Sequence, residues 1–177
     1  MSTKSLGLDL SLVSTGYCTR STDGSFKAGV IRPKKLSGMA RLAYIRSLVV
    51  ELLHSSRPDI IVIEGYSFAN HGAHYAGEVG GLVRLICHDL QIPTYTIPPA
   101  NLKQFVTGKG NAEKSDMKMQ TLKRWDVELS DDNECDAHAL SLVGLAALKV
   151  YPFGELNETQ KKAITKLEPV YGSVPSL

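Results

Sequence analysis

Three short apolar runs separated by tight turns fill the first thirty or so residues, and helical and strand-like runs alternate after them. That order constrains the chain more than any single residue does. Ser5–Leu12 reads as a strand ending near Ser14-Thr15-Gly16. Gly16–Ser21 and Ser25–Ile31 read as two more, joined by the turn Thr22-Asp23-Gly24. Three consecutive strands with short turns predict an antiparallel meander. Leu42, Ile45, Val49, Leu52 and Leu53 then recur at helical spacing over Gly38–Ser56, which Pro58 ends. Asp59–Glu64 (DIIVIE) is a buried strand, Tyr75–Leu90 a helix and Pro93–Ile97 a short strand. Asn101–Val106, Ala112–Arg124 and Glu134–Val150 are three more helices. Five strands in this order predict a mixed sheet with helices on its faces. The folded domain is expected to span residues 1–151. Residues 152–177 are expected to form a tail, in which Glu155–Leu167 is a loose helix and Pro169–Leu177 a frayed end.

Composition narrows the class. With 177 residues, 43% hydrophobic and 21% charged, the chain is neither disordered, collagenous nor coiled-coil. Apolar runs such as Ile60–Ile63 and Leu140–Leu148 fall far short of the roughly 20 residues of a membrane span. Met1–Leu12, with a Lys and an Asp in its apolar stretch, does not read as a signal peptide. Cys18, Cys87 and Cys135 have no CxxC spacing and read as buried apolar residues in a reducing compartment. The expected location is a reducing cytosol or similar compartment, with no membrane and no secretion. Net charge is only +2, but its distribution is uneven. Lys27, Arg32, Lys34, Lys35, Arg41 and Arg46 form one run free of acids. Lys103, Lys109, Lys114, Lys118, Lys123 and Arg124 form another, against Glu113 and Asp116. Either run suits a phosphate backbone, and either can also simply solvate a helix face.

Three acids stand where acids are costly. Asp9 interrupts the apolar strand Leu6–Leu12, Glu64 terminates Ile60–Ile63, and Asp136 opens the Ala/Leu-rich helix Ala137–Leu148. Carboxylates gathered on one sheet edge repel each other unless a cation lies between them, and oxygen ligands suit Mg²⁺ or Mn²⁺. Each acid has a structural explanation as well. Asp9 can cap a turn, Glu64 can pair with a Lys, and Asp131, Asp132, Asn133 and Glu134 can cap a helix. His71 and His74, three apart with no third partner, read as loop residues or DNA-contacting donors rather than zinc ligands.

These residues resemble the RuvC family of Holliday-junction resolvases. Gly7-Leu8-Asp9-Leu10-Ser11 and Thr15-Gly16-Tyr17 are similar to its first motif, G-I-D-P-G…T-G-Y/W. Ile61-Val62-Ile63-Glu64 resembles its second acidic strand. Pro98–Lys114, within PPANLKQFVTGKGNAEKSDM, is similar to V-K-x-x-V-x-G-x-G-x-A-x-K-x-x-V. Asn133–Leu140 resembles the helix start D-A-A-D-A-L-A. The resemblance covers roughly residues 4–150. It departs at Leu10-Ser11, where the family has Pro-Gly, and at Asn133, where the family has Asp or His.

The resemblance implies a ribonuclease-H-like fold and a homodimer that nicks four-way DNA junctions in pairs, leaving 5′-phosphates. It implies two Mg²⁺ (or Mn²⁺) per active site, held by Asp9, Glu64 and Asp136. Asp132 or Asn133 would be the fourth ligand, with Asp131 also near. Lys103, Lys109, Lys114 and Lys118 would face DNA, Lys114 also steadying the phosphate at the catalytic site. Tyr66 or Phe68 would stack on bases at the branch point. The helix Tyr75–Leu90, with Ala76, Gly77, Gly80 and Gly81, is the expected dimer interface or else packs closely on its own sheet. The alternatives are a nuclease of the same fold acting on flaps, forks or other branched DNA, and a catalytically weak junction-binding protein.

Overall fold

The computed structural model describes residues 2–66 and 73–171. The expected meander is present: β1 (Lys4–Asp9), β2 (Thr15–Ser21) and β3 (Phe26–Ile31) pair antiparallel. β1 ends at Asp9, earlier than the sequence suggests. The following residues turn back, where the Ser11 N–H donates to Thr15 Oγ1 (3.0 Å) and that hydroxyl donates to the Ser11 carbonyl (2.7 Å). After α1 (Gly38–Ser56), β4 (Ile60–Glu64) pairs parallel to β1. After α2 (Ala73–Asp89), β5 (Thr94–Ile97) pairs parallel to β4. Then follow α3 (Pro99–Thr107), α4 (Lys114–Trp125), α5 (Asp132–Ala147), α6 (Glu158–Ile164) and β6 (Glu168–Tyr171). The sheet order is β3-β2-β1-β4-β5-β6.

The sixth strand departs from the expected count of five and from the expected tail. β6 pairs antiparallel with β5, and Ala163, Ile164 and Leu167 are buried in the same core as α3 and α5. An edge strand needs only one partner, so it tolerates Pro169 and carries little of the apolar alternation that marks an inner strand. A second tether acts through Arg20, only 1% exposed. Its guanidinium lies between the rings of Phe26 (4.6 Å) and Phe153 (5.5 Å) and donates to the Gly24 carbonyl (3.0 Å) and to His138 Nε2. Arginine can only donate, so His138 accepts and is neutral. Burial, then the nearby Arg20 charge, pushes its pKa down to about 3.

Helices cover both faces of the sheet, as expected. Leu6, Leu8, Ile61 and Ile63 pack with α1 and α2, while Ile60, Val62, Tyr95 and Ile97 pack with α3, α4, α5 and α6. Side chains alternate along a strand, so Ser5, Gly7 and Asp9 share the α5 face of β1, and Ile60, Val62 and Glu64 share that face of β4. α5 lies almost directly on the sheet. A side chain at Gly7 would overlap the Ala137 carbonyl, and one at Gly16 would overlap the Asn133 carbonyl. Gly7→Ala is therefore expected to cost at least the upper end of the about 1–3 kcal/mol typical of overpacking, because backbone rather than a flexible side chain must yield. Urea unfolding measures it. A loss below about 0.5 kcal/mol, the range of a neutral surface change, would mean that α5 is free to lift from β1.

Candidate active site

Asp9 and Glu64 meet because their strands run parallel in register. Leu8 lies opposite Ile63, so the next residues, the two acids, leave the sheet side by side. Asp136 comes from the helix laid over them. Asp131 caps α5, accepting from the Asn133 N–H (2.8 Å), and the helix starts at Asp132, two residues earlier than the sequence pattern suggests. The contact of Ala137 with Gly7 then sets Asp136 above the end of β1.

All three carboxyls are half-buried, and each is harder to ionise than usual. Burial is the main cause at each. Asp9 rises from 3.8 to about 7, with Asp136 as the next cause. Glu64 rises from 4.5 to about 8, with Asp9 and Asp136 adding to burial. Asp136 rises from 3.8 to about 6; Asp132 raises it further, whereas Lys114 and Lys103 oppose the rise. The three acids thus share one electrostatic site, bordered by Lys103 of α3 and Lys114 of α4. Among the described residues, no three acid, His or Cys side chains are drawn together as a closed metal cage. The donor set fits a divalent cation: three desolvated oxygen acids that a positive charge would stabilise together.

The residues before Asp136 are partnered. Asp132 accepts from Lys114 Nζ at Oδ2 (3.0 Å) and from Lys118 Nζ at Oδ1 (2.7 Å), and these bonds hold its pKa below the usual range. Lys118 also donates to the Ser130 carbonyl (2.6 Å). Asn133 donates through Nδ2 to Asp131 Oδ1 (2.8 Å), and Asp131 pairs with Arg32 at the end of β3. Glu134 is half-buried in the first turn of α5. The exposed Lys109 lies in the turn between α3 and α4, whose backbone Thr107 Oγ1 ties. Tyr66, two residues past Glu64, is clasped by Arg84 of α2. The guanidinium lies 4.4 Å from the ring centre and Nη1 donates to the hydroxyl. Phe68, His71 and the side chain of His74 lie outside the described residues. The Arg32–Asp131 and Arg84–Tyr66 contacts are absent from the sequence reading. They join residues 99 and 18 apart, and no local pattern marks such pairs.

A mixed sheet in this order, with acids at adjacent strand ends and on the helix above them, defines a ribonuclease-H-like fold with a candidate carboxylate site at its edge. The model of the family described as crossover junction endodeoxyribonuclease RuvC matches residues 5–143. The crossover junction endodeoxyribonuclease RuvC of Thermomicrobium roseum is 31% identical over 145 residues, which cover 77% of this chain and 89% of that one. The solved structure of Thermus thermophilus RuvC superposes with a TM-score of 0.70 at 20% identity, covering 94% of this chain and 99% of that one. A T. thermophilus RuvC structure in complex with Holliday junction substrate gives the same TM-score at 19% identity, with the same coverage. The chain belongs to the RuvC family of crossover junction endodeoxyribonucleases.

Proposed function

We infer that this chain resolves four-way DNA junctions by paired symmetric nicks that depend on a divalent metal and leave 5′-phosphates. The observation that carries this reading is the meeting of Asp9, Glu64 and Asp136 on one sheet edge, in a chain of this family. Asp9, Glu64 and Asp136 would hold Mg²⁺ or Mn²⁺, two ions per site, with Asn133 or Asp132 as the remaining oxygen donor. Bound there, the metal supplies an activated water and offsets charge on the phosphate. Lys103 and Lys114 hold positive charge beside the carboxylates, where a DNA phosphate would otherwise be repelled. Lys109 and Lys118 extend that charge along the α3–α4 connection.

Two symmetric cuts need two sites related by a two-fold axis, and α2 suits that interface. Its inner side is Val79, Val83, Ile86 and Cys87, and a side chain at Gly80 would meet the Tyr66 hydroxyl. Gly77 and Gly81 are exposed with open space above them, and Leu85 is 59% exposed on the same side. Arg84 holds Tyr66 back against α2, which favours Phe68 as the stacking aromatic. No helix among the described residues is long and apolar enough to cross a membrane, and the reading places the chain in a cytoplasm or organellar matrix.

The test is a gel shift with an intact four-way junction in Ca²⁺, followed by Mg²⁺ and mapping of the cuts on both strands. Symmetric ligatable nicks support the reading. Faster cutting of flaps or forks would favour the related nuclease, and binding without nicks a junction-binding protein. Within this reading, Asp132→Asn is expected to raise the Mg²⁺ concentration for half-maximal nicking by about ten-fold or more, and by more than Glu134→Gln. The change removes either a ligand or the anchor that keeps Lys114 and Lys118 from competing for the carboxylates, and loss of such supporting partners typically weakens metal affinity about 10–100-fold. A larger effect of Glu134→Gln would make Glu134 the ligand.

A further inference from the structure

The acid-free run from Arg32 to Arg41 connects β3 to α1, and apart from Arg32 it plays no part in the carboxylate site. A hollow of about 480 Å³ opens between this run and the turn that follows β1. Leu12 and Val13 form one wall; Arg32, Lys34, Lys35 and Arg41 form the other. No carboxylate lines it. Val13 is 66% exposed although apolar.

The hollow has a fixed frame. Arg41 Nε donates to the Leu36 carbonyl (2.8 Å), the Lys34 N–H donates to the Arg32 carbonyl (2.9 Å), and Pro33 is buried. Arg32 ties this frame to Asp131, the cap of the helix that carries Asp136. Lys35 holds a left-handed backbone (φ 61°), uncommon for a residue other than Gly, Asn or Asp. Lys34 and Lys35 are exposed and enter none of the ion pairs among the described residues. Four cations around one concave space repel each other, and the single acid they reach, Asp131, is shared only with Arg32. An anion in the hollow would relieve that repulsion.

Position identifies the anion. The hollow begins three residues past Asp9, on the β2–β3 side of the carboxylates. Lys103 and Lys114 come from α3 and α4, which follow β5 on the other side. We propose that the hollow is a second phosphate-binding wall, taking the backbone phosphates of the DNA strand that flanks the scissile bond. The proposal rests on the reading that this chain binds branched DNA. Cations on both sides of the carboxylate cluster would allow a polyanion to cross it.

The experiment measures affinity of the full chain for an intact four-way junction in Ca²⁺ across a salt series, with phosphate-ethylation interference to locate contacts. Lys34→Gln/Lys35→Gln removes two charges at the hollow. Lys162→Gln/Lys166→Gln, exposed near α6, removes two charges elsewhere, and thermal melts verify that both variants fold. The expected result is a log K against log[salt] line flatter by about 2 for the first variant, since each lost phosphate contact removes roughly 0.9 from the slope. The Lys162/Lys166 variant should keep the wild-type slope, and ethylation interference beside the cut should fade only in the first variant. An unchanged slope for Lys34→Gln/Lys35→Gln, or equal flattening in both variants, overturns the proposal and leaves the junction reading intact. Wild-type protein that does not bind the junction fails that reading and the proposal together. A rise in melting temperature with inorganic phosphate that Lys34→Gln/Lys35→Gln abolishes, with no change in its junction slope, assigns the hollow to a free anion and overturns the DNA proposal.

Discussion

Asp9→Asn is expected to slow nicking of a four-way junction in Mg²⁺ by at least about 10³-fold, equivalent to roughly 4 kcal/mol of transition-state stabilisation. Junction binding in Ca²⁺ should persist, because the lysines that border the site are untouched. The same substitution should raise the melting temperature in metal-free buffer at pH 8. Asp9 is half-buried beside Asp136 and Glu64, and its ionised form is what burial and those neighbours disfavour. A purely structural Asp9, capping the turn after β1, predicts the opposite pair of results: near-normal nicking and a lower melting temperature. Single-turnover cleavage and a thermal melt on the same preparation decide between them.

Stability should depend on pH and Mg²⁺ together. In the folded chain Asp9, Glu64 and Asp136 take up protons near pH 7, 8 and 6, well above the ordinary 3.8 to 4.5. A raised acid binds its proton more tightly in the native state than in the unfolded state. Stability from these groups is therefore lost as pH rises from about 4 to about 8. All three shifts act in the same direction, so their effects on stability reinforce one another. Divalent metal bound to the ionised carboxylates would reverse the loss. Millimolar Mg²⁺ should raise the melting temperature little at pH 5.5 and by roughly 5–10 °C at pH 8, at about 2–4 °C per kcal/mol for a chain of this size. An equal Mg²⁺ effect at both pH values would show that these three carboxylates are not where the metal binds.

The candidate acids were legible because each violates a local rule. Asp9 and Glu64 close apolar strands, and the two-residue period of a strand already assigns them a face. Gly7, Gly16 and the small residues of Ala137–Ala147 anticipate a helix packed tightly on the sheet, although only the structure pairs Gly7 with Ala137 and Gly16 with Asn133. The meander was equally plain, since Asp23-Gly24 between two short strands leaves few other foldings.

What stayed hidden depended on residues far apart in sequence. β6 has almost no apolar period, and its existence rests on the exposed edge of β5. Asp132 stands at ligand spacing from Asp136, and only the fold shows that its two oxygens also meet lysines 14 and 18 residues earlier in the chain. Arg84 clasps Tyr66 from 18 residues further along the chain, a contact with no local sequence signal. The basic run Arg32–Arg41 read as a charged connection, and only the fold bends it into a hollow walled by Leu12 and Val13. The sequence by itself determined which residues carry charge into apolar strands, and therefore the class of chemistry, because those costs are local. Only the tertiary structure decided which charges are already partnered and which stand free, because pairing depends on distances that the chain sets after it folds.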